Sequence, residues 1–177
     1  MSEKLLYSRS EMQNECIKAL RSRGVEVEDI ASIAYNQQRR YTDLINMEDC
    51  IISVNKILSL RDTFHIVLFS CEVDRLVEEK AFKGPIQEIM AKDLGVFGID
   101  EVVGLAAANL YGVIGQTNFG HIDVNKPGII SKLNDAPKKD PSVCHTFLDD
   151  VVGAIAAAAS TRVAQMEVEE EAKKQTL

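Results

Sequence analysis

Two adjacent carboxylates inside an apolar helix carry a large desolvation cost unless something neutralises them, and this sequence contains that arrangement twice. Ile99-Asp100-Glu101-Val102-Val103-Gly104 reappears 49 residues later as Leu148-Asp149-Asp150-Val151-Val152-Gly153. Both copies run on into Ala-rich segments, Ala106 to Ala108 in one and Ala154 to Ala159 in the other. Neighbouring carboxylates repel and raise each other's proton affinity, and a divalent cation relieves both penalties. Each glycine lies three or four residues beyond its acids, on their face of the helix. Without a side chain it lets a second helix, a phosphate or a metal approach closely. Two such helices packed through their small residues bring Asp100, Glu101, Asp149 and Asp150 together. Oxygen-only donors of this kind suit Mg2+ or Mn2+, with water and substrate oxygens filling the remaining positions. The competing explanation is that acids sit in a first helical turn because the helix dipole favours them there. It suits Asp100 and Glu101 better than Asp149 and Asp150, since the second helix can begin several residues before Asp149.

Between the copies lies Ile122-Asp123-Val124-Asn125-Lys126-Pro127. Asp123 is a candidate fifth carboxylate and Lys126 a candidate phosphate-binding cation. The alternative is an N-cap Asp123 opening a helix with Pro127 near its first turn. His121 and His145 lie near the acidic clusters and have proton-donor chemistry, but a lone histidine is more often structural, and neither is placed in the site. Arg39-Arg40 and Lys138-Lys139 read as solvated charge pairs. Phosphate-binding loop, dinucleotide fingerprint, zinc-protease and nucleophile-elbow motifs are absent from the sequence.

The elements that must position these residues read as helical nearly throughout. The chain has 177 residues, 46% of them hydrophobic and 27% charged, enough to bury a sizeable core in one domain without disulfide or structural metal. The formal net charge of -7 and the lack of a basic stripe make nucleic acid a poor partner. The four cysteines, Cys16, Cys50, Cys71 and Cys144, form no CxxC pair and read as reduced thiols. The opening residues resemble no signal peptide, and no apolar run is long enough to span a bilayer. Helical stripes are expected from about Ser8 to Ser22, from Val27 towards Leu44, from Met47 to Leu58, from Asp62 or Thr63 towards Phe82, and from Ile86 to Leu94. A long apolar helix is expected from Ile99 past Tyr111, then a Gly-rich stretch around Gly115 and Gly120, a polar connection over Asn134 to Ser142, and a last helix from near Ser142 that frays at Glu167. The expected fold is an all-α, single-domain multi-helix bundle over residues 1–177. It comprises N-terminal helices (1–85), motif-bearing helices (86–166) and an acidic tail (167–177).

In the order and combination of Asp100-Glu101-Val102-Val103-Gly104, Ile122-Asp123 with Lys126-Pro127, and Asp149-Asp150-Val151-Val152-Gly153, the sequence resembles the phosphatidylglycerophosphatase A family, in its soluble, low-temperature-requirement C protein-like branch. The resemblance spans Ala91 to Ala157. It implies a Mg2+-dependent phosphatase that removes the terminal phosphate of phosphatidylglycerophosphate or a related phosphomonoester. Asp100, Glu101, Asp149 and Asp150 would hold the metal or activate the attacking water, and Asp123 and Lys126 would complete the phosphate site. The sequence departs from the membrane-bound enzymes in having neither their spanning helices nor their Gly-, Pro- and Ser-rich N-terminal segment. The expected protein is therefore cytoplasmic, with at most peripheral contact at the inner face of the membrane, and acts on a phosphorylated, lipid-type substrate. Two other readings are an all-α Mg2+-dependent nucleotide pyrophosphohydrolase and a non-catalytic helical oligomer linked to membrane or cold adaptation. The first usually spreads its acids at ExxE spacing, which these adjacent pairs do not follow. A homo-oligomer is expected because the apolar content is high for a helical chain of this size.

Overall fold

A computed structural model describes residues 6–95 and 97–175, with side chains described as far as residue 169; the expectation about the opening residues falls largely outside them. Ser8 accepts from the Glu11 amide while the Glu11 carboxylate accepts from the Ser8 amide, a capping box that starts α1 (Arg9–Ser22). Gly24, at a φ of 78°, turns the chain out of it. A second box, Asn46 with Asp49, starts α3 (Met47–Leu58) after α2 (Val27–Gln38). Then follow α4 (Arg61–Glu78), α5 (Pro85–Ala91) with proline in its first turn, α6 (Ile99–Ala108), a 3-10 turn (Asn109–Tyr111), α7 (Gly112–Asn125), α8 (Ile129–Lys139) and α9 (Leu148–Gln175). Among the described residues there is no strand, and no helix is long and apolar enough to cross a membrane.

The last helix is the stem of the bundle. Residues 144–161 are buried without a break, as expected of a helix that is apolar all round. The run Ala156 to Ala159 keeps this stem thin, so α2, α3, α4, α6, α7 and α8 all pack against it. A smaller apolar cluster of Val73, Val77, Met90, Cys144 and Phe147 ties α4 and α5 to the approach of α9. All four cysteines are free and buried.

Several boundaries differ from the sequence expectation, each for a local reason. The helix from Ile99 breaks at Ala108, because the chain enters a 3-10 turn and reverses at Gly112, whose φ is 67°. The Gly-rich stretch is helix, not connection. A side chain on Gly115 would meet the Ala108 carbonyl oxygen at 2.3 Å, so this glycine serves close packing. Asn134 to Lys139 lie in α8, which tolerates Pro137 in its final turn. Tyr41 and Leu44 lie beyond α2, in a loop. The final helix begins at Leu148, not near Ser142, and the acidic segment from Glu167 stays helical to Gln175; residues 176–177 lie outside the described part.

Candidate active site

Asp100 and Glu101 occupy the first turn of α6, and Asp149 and Asp150 the first turn of α9. The dipole explanation therefore holds for both pairs, and the late start of α9 removes the asymmetry expected between them. The dipole does not explain the burial. Asp100, Asp149 and Asp150 are only 4–5% exposed, while helix-start acids ordinarily face water.

The two helices meet through the first glycine of the repeat. A Cβ on Gly104 would lie 3.2 Å from the Asp150 carbonyl oxygen, 3.3 Å from the Asp150 Cβ and 2.9 Å from Phe119. The small residue beyond the α6 acids thus lets α6 lie directly on the α9 acids. Gly153 makes the equivalent room for Ile122 and Ile130, from α7 and α8.

Lys126 ties the arrangement together. Its Nζ donates to Asp123 at 2.6 Å, Asp149 at 3.0 Å and Asp150 at 3.1 Å. Asp123 lies in the last turn of α7, so it is not an N-cap, and Lys126 is the residue that ends this helix, in left-handed backbone at φ 42°. That conformation is costly for a side-chain-bearing residue. Here it swings the amine from the end of α7 onto the start of α9. Burial alone would lower the Lys126 pKa, but Asp149, Asp123 and Asp150 outweigh it and hold the amine charged.

One amine does not neutralise the whole cluster. Oxygens of Asp100, Glu101 and Asp150 all lie within 4.8 Å of one another, and Lys126 touches only the last of the three. Glu101 Oε2 is buried without a hydrogen-bond partner. Burial, with the adjoining Glu101 next, pushes the Asp100 carboxyl well above its ordinary range. Burial followed by the charge of Asp149 does the same to Asp150. Asp149 is raised by burial, opposed chiefly by Lys126, to about 6. A hard divalent cation fits this set: three converging carboxylates, one with an orphaned oxygen, and no nitrogen or sulfur donor among them. Of the four acids expected to hold a metal, Asp149 lies apart from this triple and faces Lys126.

These residues line an open cleft of about 210 Å3, together with Asp93, Phe97 and Asn134. A second cleft of about 280 Å3 continues from it, sharing Asp93, Asn134 and Asp149 and lined by Ala91, Leu133, Pro137, Lys92 and Lys138. His145 belongs to the wall of this second cleft. Burial, then the charge of Arg23, lowers its pKa to about 4, so its ring is neutral and its Nδ1 lies 3.3 Å from the Arg23 guanidinium. His121 is exposed and paired with Arg40.

Two contributors escape sequence reasoning. Asp93 sits at φ 44° and lines both clefts; the one available signal is its place in Asp93-Leu94-Gly95, where a short polar residue in a turn tolerates left-handed backbone. Asp74, on α4, accepts from the amides of Phe147 at 3.1 Å and Leu148 at 3.0 Å. It caps α9 from another helix and so fixes where Asp149 and Asp150 begin. Nothing in the local sequence around Asp74 announces a cap 73 residues away.

The Phosphatidylglycerophosphatase A family model matches residues 41–165. The match reaches further towards the N-terminus than the sequence motifs do, to include α3 and α4. The chain is 42% identical over 155 residues to the uncharacterized protein YutG of Bacillus subtilis (strain 168), covering 88% of this chain and 92% of that protein. Protein YpjQ from Bacillus subtilis superposes with a TM-score of 0.86 at 39% identity, over 92% of this chain and 99% of that one. The low temperature requirement C protein from Listeria monocytogenes does so with a TM-score of 0.85 at 39% identity, over 90% and 99%.

Proposed function

Because the chain belongs to the phosphatidylglycerophosphatase A family, we propose that it is a divalent-cation-dependent phosphatase that hydrolyses the terminal phosphate of phosphatidylglycerophosphate or a closely related phosphomonoester. The observation that carries this reading is the convergence of Asp100, Glu101 and Asp150, with an unpartnered buried oxygen, beside a lysine held charged by three acids. A cluster of buried carboxylates alone repels a phosphate. Carboxylates with a cation bound and an ammonium beside them attract one.

In this reading Asp100, Glu101 and Asp150 hold Mg2+, with Mn2+ as the alternative ion. Bound there, such a cation supplies Lewis-acid stabilisation of the charge on the phosphoryl oxygens. Lys126 turns its ammonium towards the same phosphoryl group, releasing part of its hold on Asp123 and Asp149. Asp149 and Asp123 are then free to accept the proton of the attacking water. The water oxygen forms a bond to phosphorus, the bond from phosphorus to the alcohol oxygen breaks, and that oxygen takes a proton from solvent water entering the open cleft and leaves as the free alcohol, the proton held by the carboxylate returning to solvent. The adjoining cleft of Ala91, Leu133 and Pro137, with Lys92 and Lys138, takes the organic part of the substrate. The lysines suit its phosphodiester and the apolar residues its glycerol and first acyl carbons.

The deciding experiment is Mg2+-dependent release of phosphate from short-chain phosphatidylglycerophosphate, with glycerol 3-phosphate and nucleoside triphosphates alongside. Lipid-selective release is expected from the wild type. Glu101→Gln and Asp149→Asn are expected to lose at least about a hundredfold, the scale on which electrostatic and acid-base groups act, with helical content unchanged. Full activity in both variants, or release of pyrophosphate from nucleotides in place of phosphate from the lipid, refutes the assignment.

A further inference from the structure

Two sets of three carboxylates meet at Asp150. One is Asp100, Glu101 and Asp150, whose oxygens lie within 4.8 Å of one another. The other is Asp123, Asp149 and Asp150, whose oxygens surround the Lys126 amine at 2.6, 3.0 and 3.1 Å. Many sites that move phosphoryl groups carry two metal ions about 3.5–4 Å apart, which clamp the attacking and leaving oxygens between them. A carboxylate shared by two cations offsets the repulsion that so short a distance brings. Here one of the two places already holds a cation, and that cation belongs to the chain. Its placement is not that of a surface ion pair. Asp149 and Asp150 are almost wholly enclosed, while the Lys126 side chain is 28% exposed and lines the cleft. Lys126 also stands in left-handed backbone at a helix end, where glycine is the ordinary residue. The fold thus holds a strained residue at the position that brings an amine to these three acids.

We propose that Lys126 stands in for a second metal ion: the site takes one divalent cation, on Asp100, Glu101 and Asp150, and the ammonium fills the other cation place, on Asp123, Asp149 and Asp150. In the cation-dependent phosphatase proposed above, on which this rests, the ion and the ammonium then divide the work. An ammonium brings one charge and three N–H donors. It binds a phosphoryl oxygen, but it cannot acidify a water by coordinating it as a metal does. Removal of the proton from the attacking water therefore falls to Asp149 and Asp123, the two carboxylates that the amine releases when it turns to the substrate. Taking the amine away should open its place to a metal.

Lys126→Gly tests this, because glycine suits the left-handed backbone and removes the amine without adding strain. Mn2+ is the probe, titrated into the full chain and counted by loss of the free-ion electron paramagnetic resonance signal. Ions still bound by Asp150→Asn, which lacks the shared carboxylate, lie elsewhere on the acidic chain and are subtracted. The wild type is expected to bind one Mn2+. Lys126→Gly is expected to bind two, with the exchange-coupled spectrum of neighbouring ions that share a ligand. Lys126→Arg, which keeps a cation, is expected to bind one. A single Mn2+ in Lys126→Gly, with helical content unchanged, overturns the proposal and leaves the metal reading of the site standing. Two Mn2+ in the wild type do the same and need no variant. A wild type that binds none overturns the metal reading itself, and this proposal with it.

Discussion

Asp150 pairs with Lys126 on one side and crowds Asp100 and Glu101 on the other, and the two contacts pull its proton affinity in opposite directions. Burial and the charge of Asp149 win, so its pKa in the folded chain stands above the unfolded value. A carboxyl with a raised folded pKa contributes stability that is fully present below its unfolded pKa and is lost as pH rises through the folded one. Above neutrality the metal-free protein therefore carries a penalty that Asp150→Asn removes, while the amide oxygen still accepts from Lys126. In EDTA at pH 8, Asp150→Asn is expected to be more stable than wild type by about 1–2 kcal/mol. Millimolar Mg2+ should raise the melting temperature of the wild type and leave the variant nearly unchanged. A destabilised Asp150→Asn in EDTA would mean that its bond to Lys126 outweighs the repulsion. The two acid pairs are readable in sequence because each stands in an otherwise apolar segment, whereas Asp123 and Lys126, close together in a polar turn, stand out only through the resemblance to the family. Asp93 is not, since its relevance comes from a left-handed backbone that brings an ordinary turn residue to the cleft.

Helix α6 approaches α9 closely enough that Gly104 touches the backbone of Asp150, whereas Gly120 on α7 faces open space. The same substitution is therefore expected to have opposite effects at the two positions. Gly104→Ala drives a methyl into Phe119 and the α9 main chain and should cost about 1–3 kcal/mol. It should also weaken Mg2+ binding by spreading Asp100 and Glu101 from Asp150. Gly120→Ala gains helix propensity at an exposed position and should stabilise the protein by about 0.5–1 kcal/mol. Urea unfolding of both variants, read beside a metal titration, checks the pair. Equal effects at the two glycines would show that packing at Gly104 relaxes freely. The role of Gly104 is legible from its repeat with Gly153, because spacing on a helix fixes which face a residue occupies. The cap on α9 is not legible, because Asp74 acts across the fold. Without that cap in view, the sequence places the start of the last helix six residues early, near Ser142.

At the scale of the whole molecule, the all-α bundle follows from apolar periodicity that holds along most of the chain. The break between α6 and α7 escapes that reasoning because both halves are apolar, and only the left-handed Gly112 separates them. That break matters for the arrangement of the molecule, since it folds residues 102–122, which carry no Lys, Arg, Asp or Glu, back on themselves beside the stem. The site is thus assembled from parts of unequal permanence. Asp149 and Asp150 belong to a stem whose residues 144–161 are buried on every side, while Asp100, Glu101, Asp123 and Lys126 ride on helices with one open flank. Amides within the stem should exchange with deuterated solvent only when the whole chain opens, and those of α6 and α7 sooner, through local opening. Hydrogen exchange followed by mass spectrometry reads this gradient directly, and uniform protection across the three helices would contradict it. On heating, then, the protein should lose its chemistry before it loses its helices. Brief warming and cooling should restore it, because the stem that templates the other half has never come apart.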